Sequence, residues 1–264
     1  MDPLTLSTAA VGAYLSKDGV ARLLGPTADY LGGELKDLVE KSRKNLASVF
    51  IRAERKCGER INEVGAVNPR VLKHVYDEAR FSEDDLLAEY FAGVLASSRT
   101  TDGKDDQGVY YSQIVKSLST HQIRMHYFLY YLIWHHSNGR AGNLYAWDER
   151  QKLSLVVPAS VYEETFHVAD RQKEMVVIAH SLAGLSRLDL IDESFRFEKP
   201  ERLRDIGLDV DEHAFVVSPS ITGLELFTWV HGRGVDGIDA FRASDLVLNP
   251  EMPVISAERV MLKG

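Results

Sequence analysis

The sequence predicts a mostly α-helical protein, in which an amino-terminal helical domain with a long amphipathic helix precedes a small winged-helix-like α+β module. Apolar residues recur at steps of three or four between residues 31 and 64, interrupted only by Ser42 at its place in the stripe, which indicates a long helix. The stretch HQIRMHYFLYYLIWHH, residues 121–136, reads as a second, aromatic helix. Residues 159–232 follow the order helix, helix, strand, charged excursion, strand, helix, which is typical of a winged helix.

These patterns divide the chain into four predicted parts. The helical domain covers residues 1–136, and a polar, glycine-containing linker covers 137–156. The winged-helix-like module covers 157–232, and the tail, 233–264, is expected to pack back or to bind a partner. No internal repeat or low-complexity tract interrupts them.

Composition is typical of a soluble globular protein. Of the 264 residues, 45% are hydrophobic and 27% are charged, and the single cysteine, Cys57, excludes an intramolecular disulfide. The longest apolar run, MHYFLYYLIW, is about half as long as a membrane-spanning helix. Since the amino terminus lacks a secretory signal, a cytoplasmic protein without a transmembrane segment is expected. The net charge of -8 argues against bulk attraction to nucleic acid.

The long helix has a start signal and an end signal. Gly25-Pro26 places proline where a helix would begin, and Gly65 is expected to end the helix. Asn68-Pro69 then combines a capping residue with a first-turn proline and predicts the start of a shorter helix. The apolar stripe consists of Leu31, Leu35, Leu38, Leu46, Val49, Ala53, Cys57, Ile61 and Val64.

Two further helices are marked by capping boxes. Ser82 with Asp85 resembles a capping box and predicts that a helix begins at Ser82. Ser119 with Gln122 gives a similar signal at the start of the aromatic helix. That helix should end at residues 137–139, because Ser-Asn-Gly is a carboxy-terminal signal.

The module is predicted from helices at 159–168 and 170–186 and from two strands. Alternating apolar residues indicate the first strand, and AFVV at 214–217 indicates the second. A closing helix, ITGLELFTWVHG, follows. The alternating residues are Leu188, Leu190, Phe195 and Phe197.

The residues that usually carry chemistry give no catalytic or metal-binding pattern. His121 and His135 share a helix face but lie 14 residues apart, about 21 Å of helix rise, and no pair in the stretch has metal-ligand spacing. We therefore expect core and helix-end histidines in a central core helix. Cys57 lies in the apolar stripe, where a buried thiol is expected. Because no catalytic or phosphate-binding motif occurs, a non-enzymatic protein without a cofactor or metal is predicted.

A local excess of positive charge lies on the predicted long helix. Residues 36–60 contain eight Lys and Arg against four Asp and Glu, a local charge of +4. This face is a candidate for binding an anion or a partner, and the alternative is a solvated helix face with internal ion pairs. Its cations are Lys36, Lys41, Arg43, Lys44, Arg52, Arg55, Lys56 and Arg60.

The second helix of the module is a candidate recognition helix for DNA. Its start offers Arg171, Gln172 and Lys173, but Asp170 and Glu174 balance their charge. The excursion between the strands would repel phosphate, so contact with protein or a purely structural role is favoured over DNA binding. The excursion contains six acidic and three basic residues. The acidic residues are Glu198, Glu201, Asp205, Asp209, Asp211 and Glu212, and the basic residues are Lys199, Arg202 and Arg204.

Three stretches resemble the Abi-alpha (abortive infection alpha) family of bacterial proteins. They are NPRVLKHVYDEARFSEDDLLAEYFAGVLASS, YYSQIVKSLSTHQIRM, and the pair LAGLSRLDLIDES and VVSPSITGLELF. The resemblance covers roughly residues 20–232 and departs from the family at Asp189 and at Ser218-Pro219-Ser220. It implies a mostly helical protein with a role in phage defence and implies no catalytic residue.

The leading hypothesis is a non-enzymatic, cytoplasmic phage-defence protein of the abortive infection type that binds a macromolecule. A protein partner, or self-association through the long helix, is expected. One alternative is a winged-helix regulator that binds nucleic acid. Another is a membrane-active effector in which residues 7–33 insert.

Overall fold

The computed structural model describes residues 32–80, 82, 84–137, 142–167, 171–205, 207, 210–243, 246 and 255–262. For residues 32–43, 171, 172 and 174 the description covers the backbone only. The chain forms two compact units. The first unit consists of the described parts of Met1–Ser117 and Thr228–Gly237, and the second consists of the described parts of Leu118–Phe227 and Ile238–Gly264. They are mostly helical and carry two small antiparallel sheets, which confirms the predicted fold class. In the described part of the chain, no helix is both long and apolar enough to cross a membrane.

The first unit is built from four helices and a short two-stranded sheet. In it α1 packs along α3, and α4 packs on α2 and α3. The strands pair antiparallel, with Ala66 opposite Thr100. The elements are α1 Gly32–Cys57, β1 Ala66–Val67, α2 Pro69–Ala79, α3 Asp85–Ser97, β2 Arg99–Thr100 and α4 Gly108–Ser117.

The long helix ends earlier than the stripe predicts. Gly58 adopts a φ of 53°, a left-handed conformation that terminates α1 and that glycine tolerates best. A 3-10 turn, Gly58–Asn62, follows, and Val64 is 84% exposed. The prediction that Gly65 ends the helix is therefore wrong, and the predicted start at Gly25-Pro26 lies outside the described residues.

Local capping explains where the next helices begin. The side chain of Asn68 accepts a hydrogen bond from the Arg70 amide, and Pro69 opens α2, as predicted. The predicted capping box at Ser82 is wrong. Asp84 caps α3 by accepting from the amides of residues 86 and 87, and the Ser82 hydroxyl instead donates to the Glu78 carbonyl. The acidic side chain lies closer to the apolar run and satisfies two free amides.

The second unit places helices around a four-stranded sheet. Its elements are α5 Thr120–Ser137, α6 Trp147–Gln151, β3 Leu155–Pro158, α7 Ala159–Thr165, α8 Arg171–Arg187, β4 Arg196–Glu198, α9 Pro200–Asp205, β5 Ala214–Val217, α10 Ile221–Val230 and β6 Met261–Leu262. The last three residues of α10, 228–230, are assigned to the first unit. Ser119 and Gln122 form the predicted capping box, with bonds of 2.8 and 3.3 Å. The predicted boundary at 136 differs from the division of the units, because α5 belongs to the second unit.

The sheet of the second unit has the order β4-β5-β3-β6, and all its pairs are antiparallel. Strand β3 lies partly in the range 137–156, which was predicted as a linker and which also contains α6. The predicted strand at Leu188–Phe197 is wrong in extent, because β4 includes only residues 196–198. Leu188 lies in a turn after α8, since Asp189 adopts a φ of 55° and breaks the regular backbone.

Helix α5 is the core helix of the second unit, as predicted. His126 and Tyr130 are fully buried and their rings stack 4.5 Å apart. The Tyr130 hydroxyl donates to the Leu190 carbonyl at 2.7 Å and accepts from the Ser220 amide at 3.2 Å. The aromatic stretch therefore holds the segments before β4 and before α10.

Candidate functional site

The eight cations of the predicted binding face lie in different surroundings. Lys36, Lys41 and Arg43 are in α1, with side chains outside the described residues, and Lys44 is exposed. Arg60 follows α1 and donates to the Gly232 carbonyl at 2.5 Å. The remaining three cations, Arg52, Arg55 and Lys56, contact one carboxylate, that of Glu89 in α3.

The cluster around Glu89 is short-ranged and largely buried. Arg52 and Arg55 lie 2.9 and 2.8 Å from Oε1 of Glu89, and Nζ of Lys56 lies 2.6 Å from its Oε2. The Glu89 side chain is 2% exposed and that of Lys56 is 10% exposed. Arg52 also bonds to Asp85, whose side chain is 84% exposed. We call these five side chains the Glu89 cluster.

The charges in the Glu89 cluster shift the pKa values of two members. Burial opposes ionisation of Glu89, but Lys56, Arg55 and Arg52 outweigh it and hold the pKa of Glu89 below its ordinary value. Burial lowers the pKa of Lys56, although Glu89 acts in the opposite direction. The network joins α1 to α3, and the wider face for an anion or partner stays a prediction.

Glu89 is not among the residues that the sequence predicts as a site. Its signal is a single carboxylate inside the otherwise apolar run LLAEYFAGVLA. A charged residue at such a position requires a partner, because burial of an unpaired charge is costly. The partners lie more than thirty residues earlier, as the separation of 34 between Arg55 and Glu89 shows.

The predicted recognition residues lie at the start of α8. For Arg171 and Gln172 only the backbone is described, and Lys173 is exposed. Lys173, Val176, His180 and Arg187 are all exposed and fall within about 60° of one another around the helix axis. This α8 face therefore carries two cations, an imidazole and an apolar side chain that is 56% exposed.

An open cleft of about 1080 Å³ lies between the early part of α8 and the start of α9. Its lining carries three carboxylates and one ammonium, a formal charge of -2, and two of the carboxylates, Asp211 and Glu212, form ion pairs with Arg204 and Arg259 outside the lining. We call it the acidic cleft. Its lining consists of Ala159, Met175, Lys199, Pro200, Glu201, Asp211, Glu212 and His213.

Glu212 lines the acidic cleft and also forms an ion pair with Arg259 of the tail. Its carboxylate accepts from the Ser160 amide at 3.1 Å and from the Ser160 hydroxyl at 2.7 Å. Arg259 reaches Glu212 at 3.0 Å and both oxygens of Glu164 at 2.8 and 2.9 Å. Burial alone would raise the pKa of Glu212, but the bonds from Ser160 and the charge of Arg259 lower it.

His126 and Cys57, which were considered from the sequence as reactive or metal-binding groups, are both buried in the protein core. His126 Nε2 lies 3.2 Å from the Gly223 carbonyl, and Cys57 is buried, as predicted. Burial raises the pKa of the Cys57 thiol, which reduces its reactivity at neutral pH. Across the described residues, no group of three or more His, Cys, Asp or Glu side chains is placed to hold a metal ion.

Comparisons of the chain with protein-family models, with curated proteins and with solved structures give no match. The resemblance to the Abi-alpha family therefore stays a prediction from the three quoted stretches.

Proposed function

We propose that the chain is a non-enzymatic bacterial phage-defence protein of the abortive infection type, which acts in the cytoplasm by binding a protein partner through the acidic cleft. The defence role is supported by the resemblance to the Abi-alpha family. The mode of action is supported by the charge and openness of the cleft.

The observation that carries the binding proposal is the lining of the acidic cleft. Asp211 and Glu212 already bind the guanidinium groups of Arg204 and Arg259, at 2.9 and 3.0 Å, so this lining binds cationic groups. Its carboxylates would repel a phosphate, because like charges at close range repel. A volume of about 1080 Å³ accommodates several side chains rather than one ion. The net charge of -8 also attracts a basic partner at long range.

The second candidate is a nucleic-acid-binding regulator, and two observations favour it. Strand β5 lies between β3 and β4, and α7 and α8 connect β3 to β4, an arrangement typical of winged helices. The α8 face presents Lys173 and Arg187 to solvent, as a recognition helix does. The acidic cleft beside Met175 of this helix opposes the approach of phosphates, so we rank this function second.

A membrane-active effector is the third candidate. The segment it requires, residues 7–33, lies almost wholly outside the described residues. Sedimentation of the intact chain with anionic vesicles would support it.

The test is the plating efficiency of a broad phage panel on cells that express the intact chain or a variant. Glu201→Lys with Asp211→Lys reverses charge at the acidic cleft and should abolish protection. Glu59→Lys with Glu63→Lys makes the same change in charge at exposed residues of the first unit and should leave protection intact.

Two outcomes would contradict the proposal. Absence of protection by the intact chain would remove the defence role. Protection that survives the cleft reversal but fails with Lys173→Glu and Arg187→Glu would favour the α8 face and the nucleic-acid regulator.

A further inference from the structure

The tail segment 255–262 occupies a groove on the second unit. Its strand β6 pairs with β3, with Leu262 opposite Leu155 and Met261 opposite Val156. Ile255 and Val260 are 6% and 3% exposed, so the segment is held by apolar contacts as well as by strand pairing. The predicted tail therefore packs back on the module.

A charge interaction fixes the same segment. The Arg259 guanidinium lies between the carboxylates of Glu164 and Glu212, at 2.8 and 3.0 Å, and also donates to the Ser160 hydroxyl. One cation is thus held by two carboxylates on different elements. Glu212 also lines the acidic cleft, so the same carboxylate contacts both the tail segment and the cleft.

The pairing of β6 with β3 is short. Four residues of β3 pair with β5, but only Leu155 and Val156 pair with β6. Val157 and Pro158 have no β6 partner among the residues that the structure describes. Short edge pairings open at low free-energy cost, so β6 can be replaced by a strand that forms more backbone hydrogen bonds with β3.

We propose that the edge of β3 together with Ser160, Glu164 and Glu212 is a docking groove for an extended segment of a partner protein. The partner segment carries an arginine followed by apolar residues, and it displaces residues 255–262 when it binds. Main-chain bonds to β3 supply affinity, and the arginine between the two carboxylates supplies specificity. The choice of a cationic protein partner rests on the proposed function.

The chemistry of the occupant is read from the resident segment, ISAERVML. It shows that the groove accepts a guanidinium, then apolar side chains, with a strand at the end. A partner with the same features replaces every contact that is lost, so exchange needs no new site.

The probe for the test is a fluorescent peptide of sequence ISAERVML, titrated into the full chain. In the intact chain the resident segment competes with the peptide. Arg259→Ala weakens that competitor and should lower the peptide Kd by about tenfold or more. Val260→Asp weakens it through the buried side chain and should give the same direction of change.

Two further titrations localise the binding in the Arg259→Ala background. Adding Glu164→Gln and Glu212→Gln should raise the peptide Kd by about tenfold or more, as should the peptide ISAEAVML. Glu193→Gln, an exposed carboxylate of the same unit, is the matched control and should leave the Kd unchanged. Circular dichroism of each variant shows that the fold is retained.

The proposal is overturned if neither tail variant binds the peptide more tightly than the intact chain does. It is also overturned if binding ignores the two glutamates, or if the intact chain is a dimer that Arg259→Ala dissociates, since the occupant would then be the tail of a second copy. Peptide binding without phage protection would support the groove and remove the proposed function. Phage protection without peptide binding would support the proposed function and overturn the docking groove.

Discussion

Glu89→Gln removes one negative charge from the Glu89 cluster and keeps the shape of the side chain. Arg52 and Lys56 then remain with side chains 9% and 10% exposed and without their shared carboxylate. Removing one member of a buried ion pair typically costs 3–5 kcal/mol, because the other charge stays desolvated. Arg55 is 44% exposed, so water solvates its charge after the substitution and Arg55 adds little to the loss of stability. We therefore expect a loss of about 3–5 kcal/mol in the free energy of unfolding of the first unit.

The assay is urea denaturation followed by tryptophan fluorescence. Trp229 belongs to the first unit and the other two tryptophans belong to the second, so a background with Trp134→Phe and Trp147→Phe reports the first unit alone. With an m-value of about 2 kcal/mol/M, the midpoint should fall by about 1.5–2.5 M urea. The matched control is Asp85→Asn, which breaks the exposed bond to Arg52 and should cost about 1 kcal/mol or less.

Equal midpoints for the two variants would refute the reasoning, because they would show that burial of the Glu89 cluster does not set its contribution. A transition with a changed m-value would instead report a change in the cooperativity of unfolding.

Three further predictions concern the Glu89 carboxylate, the Tyr130 hydroxyl and the close approach of Gly93 to Val230. Because the pKa of Glu89 is lowered in the folded protein, its ionised carboxylate stabilises the fold at pH values above the ordinary glutamate pKa of 4.5. This stabilisation is lost as the pH falls through the lowered pKa. Glu89→Gln should therefore remove this part of the pH dependence when the free energy of unfolding is measured against pH in acid. Tyr130→Phe leaves the Leu190 carbonyl without its donor and should cost about 1–3 kcal/mol in denaturation, whereas a loss under 0.5 kcal/mol, about the size of a surface change, would contradict this. Gly93→Ala would drive a Cβ into the Val230 carbonyl, so it should cost about 1–3 kcal/mol or more, and an unchanged melting temperature would show that the contact relaxes.

Elements with local signals could be predicted from the sequence. Asn68-Pro69 and Ser119 with Gln122 act within one helical turn, and the structure contains both caps. The end of α1 was misplaced because Gly58 interrupts a stripe that continues to Val64, and the stripe alone does not reveal a φ of 53°. Periodicity therefore locates helices better than it locates their ends.

Features that depend on distant residues could not be predicted. Strand β3 was overlooked in SLVVP because its partners, β5 and β6, lie far along the chain. The contacts of Arg52 and Lys56 with Glu89 join helices whose pairing the sequence does not state. Arg259 in the tail was not considered as a ligand of Glu164, since nothing local relates the two residues.

The preference of the acidic cleft for a cationic protein partner is tested most directly by whether the intact chain binds cationic peptide or duplex DNA. Fluorescence anisotropy at low salt, with a short arginine- and lysine-rich peptide and with duplex DNA as parallel probes, measures both. We expect that the peptide binds, that Glu201→Lys with Asp211→Lys weakens this binding, and that DNA does not bind. DNA binding with a steep salt dependence, abolished by Lys173→Glu with Arg187→Glu, would contradict this expectation.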